Sequence, residues 1–256
     1  MYDIEMQEPS EEFVRCWNAA GRHLSVSAQD GLLSWLKANL TPPFREHLSF
    51  RMGNQLFFIR IEDVDGNVSG PGNPVGFQAI ANGCDGHPCL MPMRQTGSEW
   101  KPQEPAWGLI HAYTGQPVNP VALISDEKNE MTEWEIHDFA VQVVRNHIVE
   151  NLNRNLMSSQ GDPQVNPSMW FVGEEGPEWV VVRAVQYPEK EAALPKNIAD
   201  IAAYCARLSD VGHFASVAVT NSNYPFDSWG KIPPLPLWRG HAMHVRFEGL
   251  LPAKVQ

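Results

Sequence analysis

Runs of apolar residues separated by turn residues predict two β-hairpins, one in each half of the chain. Residues 168–187 hold an apolar run, a turn at 173–177 and a second apolar run at 179–182. Glycine and proline favour the turn, whereas β-branched and aromatic side chains favour the strands. A shorter stretch, residues 49–61 with a turn at Gly53, predicts a first hairpin of the same kind.

Apolar residues at helical spacing predict helices on either side of these hairpins. The strongest pattern covers residues 131–153, where Thr132 and Glu135 form a capping box and a continuous apolar stripe follows. Asp30 is a predicted N-cap for a helix over 31–40. The remaining predictions are helices at 11–20 and 196–208, an irregular proline-rich segment at 84–105, and strands at 107–114, 118–124, 214–220 and 242–250.

The order of elements is the same in both halves: helix, hairpin, helical segment, strand, strand. It predicts an α+β (or α/β) fold of two similar halves, each a small, mainly antiparallel sheet with helices packed on one face. We assign the halves to residues 1–124 and 125–256, which pack either separately or as one compact domain. Similar residues in the same order in both halves suggest an internal duplication. The matching positions are Phe50 and Arg60 with Phe171 and Arg183, 74–84 with 195–205, and 112–114 with 218–220. The alternative explanation is that common β-rich segments match by chance.

Composition and net charge indicate which classes of protein and partner this sequence fits. Hydrophobic residues make up 43% of the chain and charged residues 19%, so the chain can bury a sizeable core. The formal net charge of −11 argues against duplex nucleic acid as the main partner. Neither a secretory signal nor a membrane-spanning apolar run is present in the sequence, and the cysteines are few. We therefore expect a cytoplasmic protein with free thiols and no membrane association.

Two groups of residues resemble metal ligands. Cys84, His87 and Cys89 carry the side chains that bind zinc, but no second ligand pair follows, and free thiols in a loop are the simpler interpretation. Glu133 and His137 share a helix face at metal-binding spacing, although a solvated helix N-terminus explains them as well. We therefore predict no cofactor.

The C-terminal strand and the segment before it hold the other candidates. Trp238 and Arg239 are residue types common at binding hot spots, but a stack of the two that only fixes the loop is equally plausible. Side chains alternate along a strand, so residues 242–250 are either half exposed or line a cleft. The predicted cleft consists of His213, His241, His244, Arg246 and Glu248.

The order of elements in the second half is similar to that of the PD-(D/E)XK nuclease core. That resemblance implies a Mg²⁺-dependent nuclease, with a carboxylate near one strand and an acid-x-lysine pair on the next. The chain departs from this pattern, because Ser168 follows Pro167 where the family has aspartate and residues 181–185 contain no acid-x-lysine pair. Motifs for nucleophilic catalysis or phosphate binding are also missing.

The leading hypothesis is therefore a soluble, bacterial-type cytosolic protein that binds a protein partner without catalysis, of an accessory or immunity-like type. Its aromatic loops, with Trp100, Trp107, Trp229 and Trp238, and its acidic surface suit a basic partner. The alternative is a metal-dependent hydrolase, or a degenerate PD-(D/E)XK-like nuclease, with the His/Arg/Glu-lined cleft.

Overall fold

The computed structural model describes residues 8–28, 33–40, 46–224, 226 and 235–253. These residues divide into two compact units, 8–129 and 130–253. Asp30 and Trp229 lie outside the described residues. Among the helices that are described, none is long and apolar enough to cross a membrane.

The first unit contains a mixed sheet with the strand order β1-β2-β3-β4-β5, and β6 also pairs with β4. β3 and β4 are parallel, and every other pair is antiparallel. The elements in chain order are α1 (Glu11–Ser27), β1 (Leu33–Lys37), β2 (Leu48–Met52), β3 (Gln55–Asp63), α2 (Pro74–Gly83), β4 (His87–Thr96), β5 (Glu99–Pro102), β6 (Ile110–His111) and a 3₁₀ turn (Pro120–Leu123).

The second unit repeats this arrangement. Its strand order is β7-β8-β9-β10-β11, β12 also pairs with β10, and β9 and β10 form the parallel pair. The elements are α3 (Glu133–Asn146), a π-helical turn (His147–Asn151), β7 (Leu156–Ser159), β8 (Met169–Val172), β9 (Pro177–Gln186), α4 (Ile198–Cys205), β10 (Gly212–Asn221), β11 (Met243–Phe247) and β12 (Leu251–Pro252). The predicted α+β class and the two similar halves are confirmed.

Helices flank both faces of the second sheet, rather than the single face that we expected. α3 covers the face that carries Val180 and Val182, whereas α4 covers the face that carries Trp179 and Val181. A strand between two covered faces must be apolar on both, which explains the continuous apolar run of β9. The capping box of Thr132 and Glu135 is present as predicted.

Two predicted elements are wrong for identifiable reasons. Residues 33–37 form the edge strand β1 and not a helix, because their exposure alternates and Trp35 packs edge-on against Phe50. The stretch 84–105 holds β4 and β5. Pro88 and Pro92 are tolerated in β4 because their backbone groups point away from β3, and their carbonyls accept from Ala112 and Gln103.

Residues 107–124 contain only the short strand β6 and the 3₁₀ turn, in place of the two strands predicted there.

Strand pairing defines which positions of the two units correspond. Ile59 pairs with Leu48 as Val180 pairs with Met169, and these side chains belong to the cores beneath α1 and α3. Phe50 then corresponds to Phe171, as predicted from the sequence, whereas Arg60 corresponds to Val181 and not to Arg183. The match of 112–114 with 218–220 is wrong, because 218–220 lie in β10, whose counterpart is β4.

Candidate functional site

The structure does not bring the predicted cleft residues together. His213 pairs with Pro252 at the start of β10, whereas His244 pairs with Thr220 near its end, roughly 20 Å away at the rise of a β-strand. His244 also lies on the opposite face of the sheet from His213, because side chains alternate along β10. Its Nε2 is 2.9 Å from the carbonyl oxygen of Ser222.

The other members of the predicted cleft are exposed. Arg246 and Glu248 form a surface ion pair, with Nη2 and Oε1 2.7 Å apart. His241 lies exposed in the turn before β11. These residues therefore do not converge on a common ligand with His213.

Arg239, predicted as a binding residue, is buried in a bidentate ion pair with Glu135. Its Nε and Nη2 donate to the two carboxylate oxygens at 2.9 Å, and the two side chains are 2% and 8% exposed. Trp238 is half buried and its backbone forms a β-bridge with Glu130. Both residues hold the segment before β11 against the N-terminus of α3.

Cys84, His87 and Cys89 also have local partners. Cys84 caps α2, and Cys89 is a fully buried core residue whose pKa burial raises to about 12. The His87 ring stacks on Phe57, and its Nε2 lies 2.9 Å from the Gln55 side-chain oxygen. Among the described residues, no group of three or more histidine, cysteine, aspartate or glutamate side chains is placed to hold a metal ion.

A different cleft opens in the second unit, at the C-terminal end of α3, and has a volume of about 600 Å³. We call it the acidic cleft. Its base and walls combine charged, imidazole and apolar side chains. The residues that line it are His147, Leu152, Arg154, Phe171, Gly173, Glu174, Glu175, Glu178, Val211, His213, Leu250 and Pro252.

The central polar contact of the acidic cleft joins β9 and β10. His213 Nε2 lies 2.6 Å from Glu178 Oε2, and the two side chains are only 20% and 18% exposed. The His213 ring packs against the buried Phe171, with ring centroids 5.8 Å apart. The partly exposed carboxylate and imidazole therefore lie over a buried aromatic ring, an arrangement that suits a cationic or hydrogen-bonding ligand.

The acidic cleft departs from the first unit at three corresponding positions. Cys89 pairs with Ile59 as His213 pairs with Val180, and Phe57 pairs with Phe50 as Glu178 pairs with Phe171. Two buried apolar residues of the first unit are thus replaced by the polar pair Glu178 and His213.

The third position is that of Trp107. Ile110 pairs with Leu90 in the first unit, and Leu251 pairs with Phe214 in the second. The stretch Trp107-Gly108-Leu109-Ile110 therefore corresponds to Glu248-Gly249-Leu250-Leu251.

Trp107 fills the equivalent place in the first unit. It is 7% exposed and stacks on Phe50, with centroids 6.5 Å apart. Glu248 instead points to solvent, with 67% of its side chain exposed, and pairs with Arg246. The second unit therefore has an open cleft where the first has a packed aromatic core.

The lining of the acidic cleft combines a few polar groups with an apolar rim. Within the described lining there is no serine, threonine or cysteine, the side chains that most often act as nucleophiles in hydrolases. Leu152, Val211 and Pro252 give it an exposed apolar rim. An apolar surface with a few polar groups at fixed positions is typical of ligand sites.

His137, in the first half of α3, is the other unusual titratable group of the second unit. It is 4% exposed and its Nε2 is buried without a hydrogen-bond partner among the described residues, so the solvated turn predicted from the sequence is wrong here. Burial, and secondarily the positive charge of Arg183, lower the pKa of His137 to about 4, against the opposing effect of Asp138 and Asp162.

The lowered pKa of His137 predicts a loss of stability in mild acid. Between pH 6.5 and 4 the unfolded chain binds a proton that the folded chain excludes, so the free energy of unfolding decreases as the pH falls. The loss from this group reaches up to about 3 kcal/mol. Urea unfolding from pH 7 to pH 4 should show a shallower decrease for His137→Phe than for the wild type. Equal slopes for both would contradict this assignment.

One comparison with known proteins gives a match. A family model described as a domain of unknown function (DUF8840) matches residues 134–253, which extend from α3 to β12 and include the whole acidic cleft. No curated protein and no solved structure matches the chain. The chain is thus similar to this family over the second unit, and the similarity assigns no activity.

Proposed function

We propose that the protein is a non-catalytic binding protein whose second unit takes a basic segment of a partner protein into the acidic cleft. The observation that carries this proposal is the replacement of apolar core by Glu178 and His213. Glu178 places a carboxylate at the position where the first unit has the core residue Phe57. Burying a carboxylate lowers the free energy of unfolding, and such a cost is typical of functional sites.

The charge around the acidic cleft supports a basic occupant. Glu174, Glu175 and Glu178 come from the β8–β9 turn and the start of β9, and Arg154 is the arginine that faces them, with its Nη2 2.8 Å from Glu174 Oε1. A lysine or arginine side chain in the cleft can donate a charge-assisted hydrogen bond to Glu178, whose side chain is 18% exposed. The net charge of −11 attracts such a partner over longer distances. We place this function in the cytoplasm, as an accessory or immunity-like role.

The first test is a binding measurement with the blocked peptide acetyl-Lys-Arg-Lys-amide and the full chain. We expect amide chemical shifts of Phe171, Val211 and His213 to change on titration. Glu178→Gln should weaken binding roughly tenfold, because a charge-assisted hydrogen bond contributes about 1.5 to 3 kcal/mol.

Glu189→Gln provides the matched control, because Glu189 is an exposed glutamate of the same unit outside the acidic cleft. It makes the same change in net charge and should alter affinity less than twofold. If both variants weaken binding equally, the attraction is a general property of the acidic surface, and the cleft assignment fails.

A second candidate function is hydrolysis, and the short contact of His213 with Glu178 favours it. A carboxylate that orients an imidazole can make it a general base toward a bound water. This hypothesis predicts turnover of ester or phosphodiester substrates that His213→Gln abolishes. Absence of turnover in the wild type would leave the binding function as the better account.

A further inference from the structure

We infer that the occupant of the acidic cleft is an extended chain segment that places an aromatic side chain against the His213 ring, which packs on the buried Phe171, in the place that Trp107 takes beside Phe50 in the first unit. The inference rests on the proposed binding function and specifies its ligand. The occupant is then a peptide segment of a partner protein with an aromatic residue beside a basic one.

The first unit provides a template for how this place is filled. The chain between β5 and β6 crosses the C-terminal end of α1 and inserts Trp107 into the core cluster that contains Phe50. In the second unit β11 continues almost directly into β12, so the chain has no comparable crossing segment. The space that a crossing segment would fill remains as the acidic cleft.

The glycine after the aromatic position is kept in both units. Gly108 and Gly249 both have positive φ, +69° and +100°, a conformation that favours glycine. Leu109 and Leu250 follow them and pack against the respective cores. The backbone path toward β6 and β12 is therefore alike, and the side chain before the glycine is what differs.

The helices also place a histidine at the same position of the two sites. Five buried side chains of α1 and five of α3 with its π-helical turn share one spacing: Phe13, Cys16, Trp17, Ala20 and Leu24, and His137, Ala140, Val141, Val144 and Ile148.

With this alignment, His147 corresponds to His23. His23 Nε2 lies 2.9 Å from the carbonyl oxygen of Ala106, the residue before Trp107. His147 lines the acidic cleft, where it can donate in the same way to a backbone carbonyl of the occupant. An extended peptide has such a carbonyl next to its aromatic side chain. A small amine ligand without a peptide backbone has no such carbonyl.

The experiment compares three probes on the full chain. The first is a peptide of residues 104–110 that carries Glu104→Lys, the second is the same peptide with Trp107→Ala, and the third is acetyl-lysine-amide. We expect the first to bind at least tenfold more tightly than the second, and its titration to shift the amide signals of Phe171, Val211 and Leu250.

The variant Glu248→Trp tests the same idea within the chain. A tryptophan at this position should occupy the acidic cleft and weaken binding of the first peptide more than tenfold, with a thermal midpoint no lower than that of the wild type. Glu248→Gln, which removes the charge but adds no ring, should bind within twofold of the wild type.

The outcomes separate this inference from the proposed function. If the two peptides and acetyl-lysine-amide bind with the same affinity, the basic ligand stands and the aromatic anchor is wrong. If no probe shifts the signals of the acidic cleft, both are wrong. If Glu248→Trp loses stability, the probe comparison on the wild type still decides between these outcomes.

Discussion

Replacing Trp107 with alanine is expected to lower the free energy of unfolding of the first unit by roughly 3 to 5 kcal/mol. Trp107 is 7% exposed, stacks on Phe50 and belongs to the core cluster under α1. Its removal deletes a large buried ring and leaves a cavity in the core. Hydrogen exchange followed by mass spectrometry measures the loss in the first unit separately from the second.

Tyr113→Ala is the control for this prediction. Tyr113 lies in the turn after β6, is 52% exposed and donates a hydrogen bond from its hydroxyl to Asn82. Its removal should cost about 1 kcal/mol or less. A cost below about 1 kcal/mol for Trp107→Ala as well would mean that the segment before β6 only covers the surface, and the comparison of the two units would lose its basis.

Local chemistry accounts for the parts of the fold that could be predicted. Both hairpins and the capped helix α3 depend on contacts between residues close in sequence, such as the bond between Thr132 and Glu135. The repeated order of elements was visible because each unit uses the same sequence of local patterns. That order predicted mainly antiparallel sheets, and the parallel pairs β3–β4 and β9–β10 were not predicted from it.

Two misassigned elements show where local patterns are ambiguous. Leu33 and Leu36 fit a helical spacing, but residues 33–37 form an edge strand whose Trp35 packs on Phe50. β4 was missed because its prolines suggested an irregular segment, and these prolines are tolerable only because their backbone groups point away from β3. Both outcomes depend on partners that are distant in sequence.

The acidic cleft could not be predicted as a site, because the parallel pairing of β9 and β10 brings Glu178 to His213. His213 was among the candidates, but its partner was not, since nothing in the sequence distinguishes Glu178, at the start of β9, from the nearby Glu174 and Glu175. A usable signal was present in the two stretches that begin at Trp107 and Glu248, which share Gly-Leu followed by an aliphatic residue. The contrast of tryptophan with glutamate before that shared motif marks the site.

Arg239→Met is expected to lower the free energy of unfolding of the second unit by roughly 3 to 5 kcal/mol. The variant keeps much of the side-chain volume but leaves the Glu135 carboxylate, 8% exposed, without its guanidinium. Adding Glu135→Gln should recover about half of the loss, because glutamine is neutral and can still accept the capping bond from the Thr132 amide. Urea unfolding of the single and double variants measures both effects.

Arg246→Met is the control for the stability effect of Arg239→Met. The ion pair of Arg246 with Glu248 is exposed, so its loss should change stability by less than about 1 kcal/mol. Arg239 lies near the N-terminal end of α3, in a segment held there by the hydrogen bond from the Met131 amide to the Leu237 carbonyl. The acidic cleft lies at the C-terminal end of α3. Arg239→Met should therefore reduce stability while peptide affinity of the folded chain stays within twofold. A tenfold loss of affinity without a loss of stability would instead make Arg239 a contact residue for the partner, as its type and position in the sequence first suggested.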